Sequence, residues 1–181
     1  MIELVGRCRG DPLSFVRACF PWGEGELAGY TGADTWQSNV LATIRDGLTP
    51  KEALRIAIAS GHGIGKSSLI SWIILYCLCT TVDCRAVVTA NTATQLSSKT
   101  WAELAKWYRL CICKHWFILT ATAIYSSDPA HELTWRADAI PWSAARPTAF
   151  AGLHNQGRRG WCCTTRPARL TAASGRPLRE L

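Results

Sequence analysis

Lys66 and Ser67 are the residues of this chain best placed to do chemistry. They close the glycine-rich run Ser60-Gly61-His62-Gly63-Ile64-Gly65, at the point where a helix should begin. Glycines at 61, 63 and 65 carry no Cβ, so the backbone there can take left-handed φ and approach an anion closely. The first turn of the helix adds unpaired N–H groups and the positive end of the peptide dipole. An ammonium at Lys66 would reach the β- and γ-phosphates of a nucleoside triphosphate, and the Ser67 hydroxyl would hold Mg²⁺. The full pattern, G-x-x-x-x-G-K-[ST], has glycine where this chain has Ser60. The alternative for the run is a plain left-handed turn joining any strand to any helix.

An element on each side must hold such a loop. Before it, Arg55, Ala57 and Ala59 alternate with Ile56 and Ile58, the pattern of a short strand. After it, Ser68 to Val82 (SLISWIILYCLCTTV) is apolar almost all round. That run falls short of the roughly 18 to 20 residues a membrane span needs, so it reads as a core helix against a covered sheet, with no membrane partner. Upstream, Asp11 to Phe20 forms a short amphipathic turn or helix, and Pro21, Gly23, Gly25, Gly29 and Gly32 mark an irregular loop. Asp34 can cap a helix through Leu48 with Trp36, Val40, Leu41 and Ile44 on one face, ended by Gly47 and Pro50. Downstream, Arg85 to Ala90 is a second strand, and Thr92 or Thr94 can cap a helix to about Leu110 whose stripe of Trp101, Leu104, Ala105 and Tyr108 reads as core. Ile118 to Tyr125 and Leu133 to Trp142 suggest two further strands around a turn at Asp128-Pro129. This order predicts an α/β fold with a largely parallel sheet, in which the later strands could form an antiparallel insert.

Composition narrows the class. With 181 residues, 48% apolar and 18% charged, the chain reads as one folded domain. The net charge of +7 is concentrated late, where Arg158, Arg159, Arg166, Arg169, Arg176 and Arg179 face the single acid Glu180. The body is nearly neutral, so charge alone is no argument for DNA binding by the folded part. Nine cysteines, at 8, 19, 77, 79, 84, 111, 113, 162 and 163, are odd in number and lack paired C-x-x-C spacing, so they read as buried thiols rather than a disulfide framework or a zinc motif. The start, MIELVGRCRGD, has no apolar export signal, which points to a reducing cytosol.

The blocks RIAIASGHGIGKSSLISWIIL, VVTANTATQL, KTWAELAKWYRL, ATAIY, DPAHELTWRADAIPW and AFAGLHNQGRR, in that order, resemble the N-terminal ATPase part of the tailed-phage terminase large subunit. The resemblance runs from about Phe15 to Arg159. It implies a three-layer P-loop NTPase fold with a largely parallel sheet, here incomplete at the C-terminus. It implies ATP and Mg²⁺ as cofactors, double-stranded DNA, a small terminase subunit and a portal as partners, a ring homo-oligomer, and the bacterial host cytoplasm as location. Residue by residue, it puts Gly61, His62, Gly63, Ile64, Gly65, Lys66, Ser67 and Ser68 on the triphosphate, with Ser67 on Mg²⁺. Gln37, in Asp34-Thr35-Trp36-Gln37, resembles the family's upstream adenine-contacting glutamine; the alternative is a solvated helix residue. His62 stands where several terminases carry an arginine, which leaves the catalytic arginine unassigned.

Hydrolysis also needs a Walker B strand, an apolar run ending in Asp and commonly Glu. Asp138 in RADAIPW is the nearest imitation and reads as a turn or surface carboxylate, and the family's nuclease carboxylates are missing too. Residues 1–159 therefore read as the N-terminal part of an ATPase domain and 160–181, GWCCTTRPARLTAASGRPLREL, as an irregular tail. Gly160 to Ala168 can be encoded GGG TGG TGC TGT ACG ACG AGG CCA GCN, which from its third base reads Val-Val-Leu-Tyr-Asp-Glu-Ala-Ser. That places a Walker B strand where one is due and marks 160–181 as an out-of-frame tail; a genuine arginine-rich nucleic-acid tail is the rival. The expectation is an ATP-binding fragment of a DNA-packaging motor with little hydrolysis of its own, an exposed strand edge where Walker B is lost, and an inert nucleotide-binding remnant or a small-molecule kinase as alternatives.

Overall fold

The computed structural model describes residues 1–48, 54, 56–58, 63–90, 92–141, 160–165 and 179–180, the backbone alone at 57, 160–165 and 179–180. Gly61 and His62 of the expected phosphate loop, and most of the segment after 141, lie outside the described residues.

Helices come first. α1 (Ile2–Arg7) leads into α2 (Pro12–Cys19), where Asp11 accepts the N–H groups of Leu13 and Ser14 at 3.1 Å each and Pro12 takes the position whose N–H would be unpaired anyway. α2 buries Leu13, Phe15, Val16 and Cys19. After a loop with a short 3₁₀ turn, α3 (Thr35–Gly47) starts behind Asp34 as its sequence predicts and buries Val40, Leu41 and Ile44. α4 (Lys66–Thr80) is buried nearly all round from Leu69 to Cys79. It touches the sheet on one side, and α1, α2 and α6 (Ala102–Leu110) on others. Each large apolar side chain hidden this way contributes about 1.5–3 kcal/mol, which makes α4 the spine of the core.

Thr92 caps the next helical stretch, its Oγ1 accepting the Gln95 N–H at 3.0 Å, so of the two candidate threonines the first serves. The stretch runs through α5 (Ala93–Gln95), a π-helical segment Leu96–Trp101, and α6. Its buried face is Trp101, Leu104 and Trp107 rather than Trp101, Leu104, Ala105 and Tyr108. Trp107 turns inward because its ring meets Trp72 at 4.9 Å and its N–H finds the Glu103 carboxylate at 2.8 Å.

The strands are β1 (Ile56–Ala57), β2 (Arg85–Ala90), β3 (Phe117–Leu119), β4 (Ala123–Ser126), β5 (Arg136–Ala139), β6 (Gly160–Thr165) and β7 (Arg179–Glu180). The molecule is a mixed α/β protein whose five-stranded sheet has the order β3-β4-β5-β2-β6, with β1 and β7 forming a separate parallel pair. β2 is flanked on both sides and pairs in parallel with β5 and β6, in register from Arg85 opposite Arg136 and Gly160. β4 runs antiparallel to both β3 and β5. The sheet is thus mixed rather than largely parallel, with the antiparallel insert that the later strands allowed. The connections decide this: short turns join only antiparallel neighbours, whereas a parallel pair needs a crossover of a dozen residues or more.

Two further expectations change. The single strand foreseen over Ile118 to Tyr125 breaks into β3 and β4 at Thr120, whose Oγ1 accepts the Ala123 N–H at 3.0 Å and closes a turn. The segment from 160, read as irregular, supplies a six-residue strand that lies along β2 and covers the edge expected to be open. Tryptophan and threonine suit a strand, and an unpaired row of N–H and C=O groups on β2 is the template for one. Asp138 is likewise no turn residue; inside β5 it grips Arg136 at 2.6 Å with Arg85 at 4.0 Å, and that bond pushes the Arg136 guanidinium above its ordinary range.

Candidate nucleotide site

Residues 63–65 form a bend, with Gly63 at φ +81° and Gly65 at φ +87°, directly before α4 begins at Lys66. Both angles lie in the left-handed region where a side chain is disfavoured, which explains the alternating glycines. Gly65 is also closed off spatially. A Cβ there would stand 2.8 Å from the Gln37 amide nitrogen.

Gln37 explains that closeness. It is 4% exposed, its Oε1 accepts the Asp34 N–H at 2.9 Å, and its Nε2 donates to the Gly65 carbonyl at 3.1 Å. The same side chain therefore caps the start of α3 and ties that helix to the loop before α4. It is not a solvated residue. An amide of this kind still has one N–H and one lone pair to offer.

Lys66, Ser67 and Ser68 occupy the first turn of α4, each half-buried, and Ile64 is exposed. The Ser68 hydroxyl donates to Glu103 Oε1 at 2.7 Å, so toward an anion it would offer its backbone N–H alone. Ser67 keeps its carbonyl in a bond with the Ser71 hydroxyl at 2.8 Å.

Of these residues Ser68 and Ile64 open onto a cleft of about 560 Å³, lined also by Gly63, Gly65, Gln37, Lys106 and a ring of aromatics, Trp22, Tyr30, Trp36, Trp72 and Trp107. Trp22 and Trp72 pack at 5.8 Å, edge to face, and Phe20 meets Trp107 at 5.2 Å behind them. The Trp72 indole N–H is buried with no hydrogen-bond partner among the described residues. An orphaned buried donor of this kind costs about 1–3 kcal/mol. A loop rich in left-handed glycines, a helix N-terminus with a lysine and serines, and flat apolar walls suit a ligand that is anionic at one end and aromatic at the other.

Of the expected site residues, the fold brings Gln37, Gly63, Ile64, Gly65 and Ser68 to this cleft, with Lys66 and Ser67 beside it. Trp22, Tyr30, Trp72, Glu103, Lys106 and Trp107 were not read as site residues, since a tryptophan or charge at helical spacing looks like any core or surface position. Compared with known protein families and with curated protein sequences, the chain matches none. Among the described residues, no helix is long and apolar enough to cross a membrane.

Proposed function

We propose that this chain binds ATP with Mg²⁺ at residues 61–68, as the ATP-binding portion of a phage DNA-packaging motor of the terminase large-subunit kind with a three-layer P-loop NTPase fold. The reading is carried by Gly63 and Gly65, both left-handed, placed immediately before a fifteen-residue helix that starts with Lys66, Ser67 and Ser68. Lys66 supplies the counter-charge for the β- and γ-phosphates, Ser67 the hydroxyl for Mg²⁺, and the N–H groups of the first turn complete an anion cup. The aromatic cleft supports a base at the other end, its volume of about 560 Å³ falling in the usual range for small-ligand sites. Gln37 holds the loop and lines that cleft. Double-stranded DNA, a portal and a small terminase subunit are the partners this reading brings, on a ring of copies in the host cytoplasm.

The frame-shifted reading belongs to the same proposal. It lays Val-Val-Leu-Tyr-Asp-Glu over the stretch that forms β6, and β6 runs parallel to β2. A strand in that direction is what a Walker B segment requires.

Calorimetric titration of the chain with Mg·ATP tests the binding claim. The parent should bind, and Lys66→Ala, folded by circular dichroism, should show no heat of binding, through loss of the phosphate counter-charge. A parent chain that takes up no nucleotide, or a Lys66→Ala variant that binds as well as the parent, refutes it.

A further inference from the structure

From three separate stretches of the chain, four cysteines come together in the core near the far end of α4. Cys79 comes from the last turn of α4, Cys111 and Cys113 from the turn after α6, and Cys19 from the end of α2. The sulfurs of Cys79, Cys111 and Cys113 all lie within 4.8 Å of one another. Cys113 thus sits against both Cys79 and Cys111, with the Cys19 thiol on its other side. The backbone adds a fixed point, since the Ile112 N–H donates to the Cys19 carbonyl at 3.1 Å and locks the end of α2 to the 111–113 turn. All four side chains are buried, Cys19 and Cys113 completely.

Isolated buried thiols behave as small apolar groups and have no reason to turn their sulfurs toward each other. From the clustered sulfurs of Cys79, Cys111 and Cys113, we propose a structural zinc site with these three as ligands and a fourth position taken by Cys19, whose carbonyl is bonded to Ile112 between two of them. In tetrahedral zinc thiolate sites the metal–sulfur distance of about 2.3 Å sets neighbouring sulfurs about 3.8 Å apart, so sulfurs already this close need move only slightly to close on the ion. Thiolates are soft ligands, which favours Zn²⁺ and disfavours Mg²⁺ or Ca²⁺ here.

On binding, zinc replaces the S–H bonds of its thiol ligands by S–Zn bonds, the protons leave to water, and no oxidation state changes. The ion would pin α2, the end of α4 and the 111–113 turn at one point, at the opposite end of α4 from Lys66. A site with four protein ligands and no open position does no catalysis.

Metal analysis of the full chain, purified under reductant and reconstituted with zinc, tests this. One zinc per folded chain is expected, cobalt substitution should give the intense absorption of tetrahedral thiolate-bound Co²⁺, and a chelator should lower the unfolding temperature reversibly. Cys79→Ala and Cys111→Ser should lose the metal, whereas Cys84→Ala should keep it, because Cys84 is buried but outside the group. Should these variants fail to fold, the parent still decides. A folded parent holding no zinc after reconstitution, a chelator that leaves its unfolding unchanged, a disulfide among the four cysteines, or zinc retained by both ligand variants would overturn the site.

Discussion

Gly65 carries two separate constraints that a substitution can pull apart. Its φ of +87° disfavours any side chain, and the Gln37 amide stands where a Cβ would go, whereas Gly63, at +81°, faces open space. Gly63→Ala should therefore cost only the left-handed strain, about 1–2 kcal/mol. Gly65→Ala should cost more than Gly63→Ala, because it also displaces Gln37 from the Gly65 carbonyl and from the start of α3. Urea unfolding of the two variants side by side gives the comparison, and equal losses would mean that the Gln37 tether carries no weight. The glycines were legible in the sequence because their φ requirement is local. The partner of Gln37 was not, because it lies twenty-eight positions away and only packing of α3 against the loop brings it near.

α2 shows how a helix start is specified by a few residues and how far pH reaches it. Burial pushes the Asp11 carboxyl up, but hydrogen bonds from the Ser14 hydroxyl and amide, the charge of Arg45 and the Leu13 amide together hold it below its ordinary 3.8. A carboxyl lowered in the folded state contributes stability that is complete above the unfolded value and lost as pH falls through the lower folded one. Asp11→Ala should destabilise the chain by about 1 kcal/mol at neutral pH. Asp11→Asn should stay close to the parent there and lose less stability on going from pH 5 to below 3.8, since it cannot take up the proton. Thermal unfolding over that range checks both, and an unchanged acid slope in the asparagine variant would remove Asp11 from the account. Caps of this kind, like the starts of α3 at Asp34 and of α5 at Thr92, can be read from residue type and position. The split between β3 and β4 could not, because it depends on one threonine hydroxyl closing a turn inside an otherwise strand-like run.

Among the described residues, β2 and α4 organise the fold: the five-stranded sheet builds out from β2 on both sides, and α4 runs from the aromatic cleft to the cysteine group. If β6 stands in for a Walker B strand read in another frame, it supplies pairing without the carboxylates that hold Mg²⁺ and activate water. A frame-restored chain should then release phosphate from ATP with stimulation by DNA, and the 181-residue chain should do so barely or not at all. Brisk turnover by the present chain would dismiss the frame-shift reading, as would coding nucleotides with stops in the shifted frame. What residue order alone settled was local: the helices from Asp34 and Thr92, the strand at 85–90, where a left-handed backbone is needed, and that α4 is a core element. Chain folding in space was needed to gather Trp22, Trp72 and Trp107 around one cleft, to place an edge strand from 160–165 on β2, and to bring Cys19, Cys79, Cys111 and Cys113 together. Those meetings join residues tens of positions apart, and their energy comes from burying shared surface, a quantity that no short window of sequence contains.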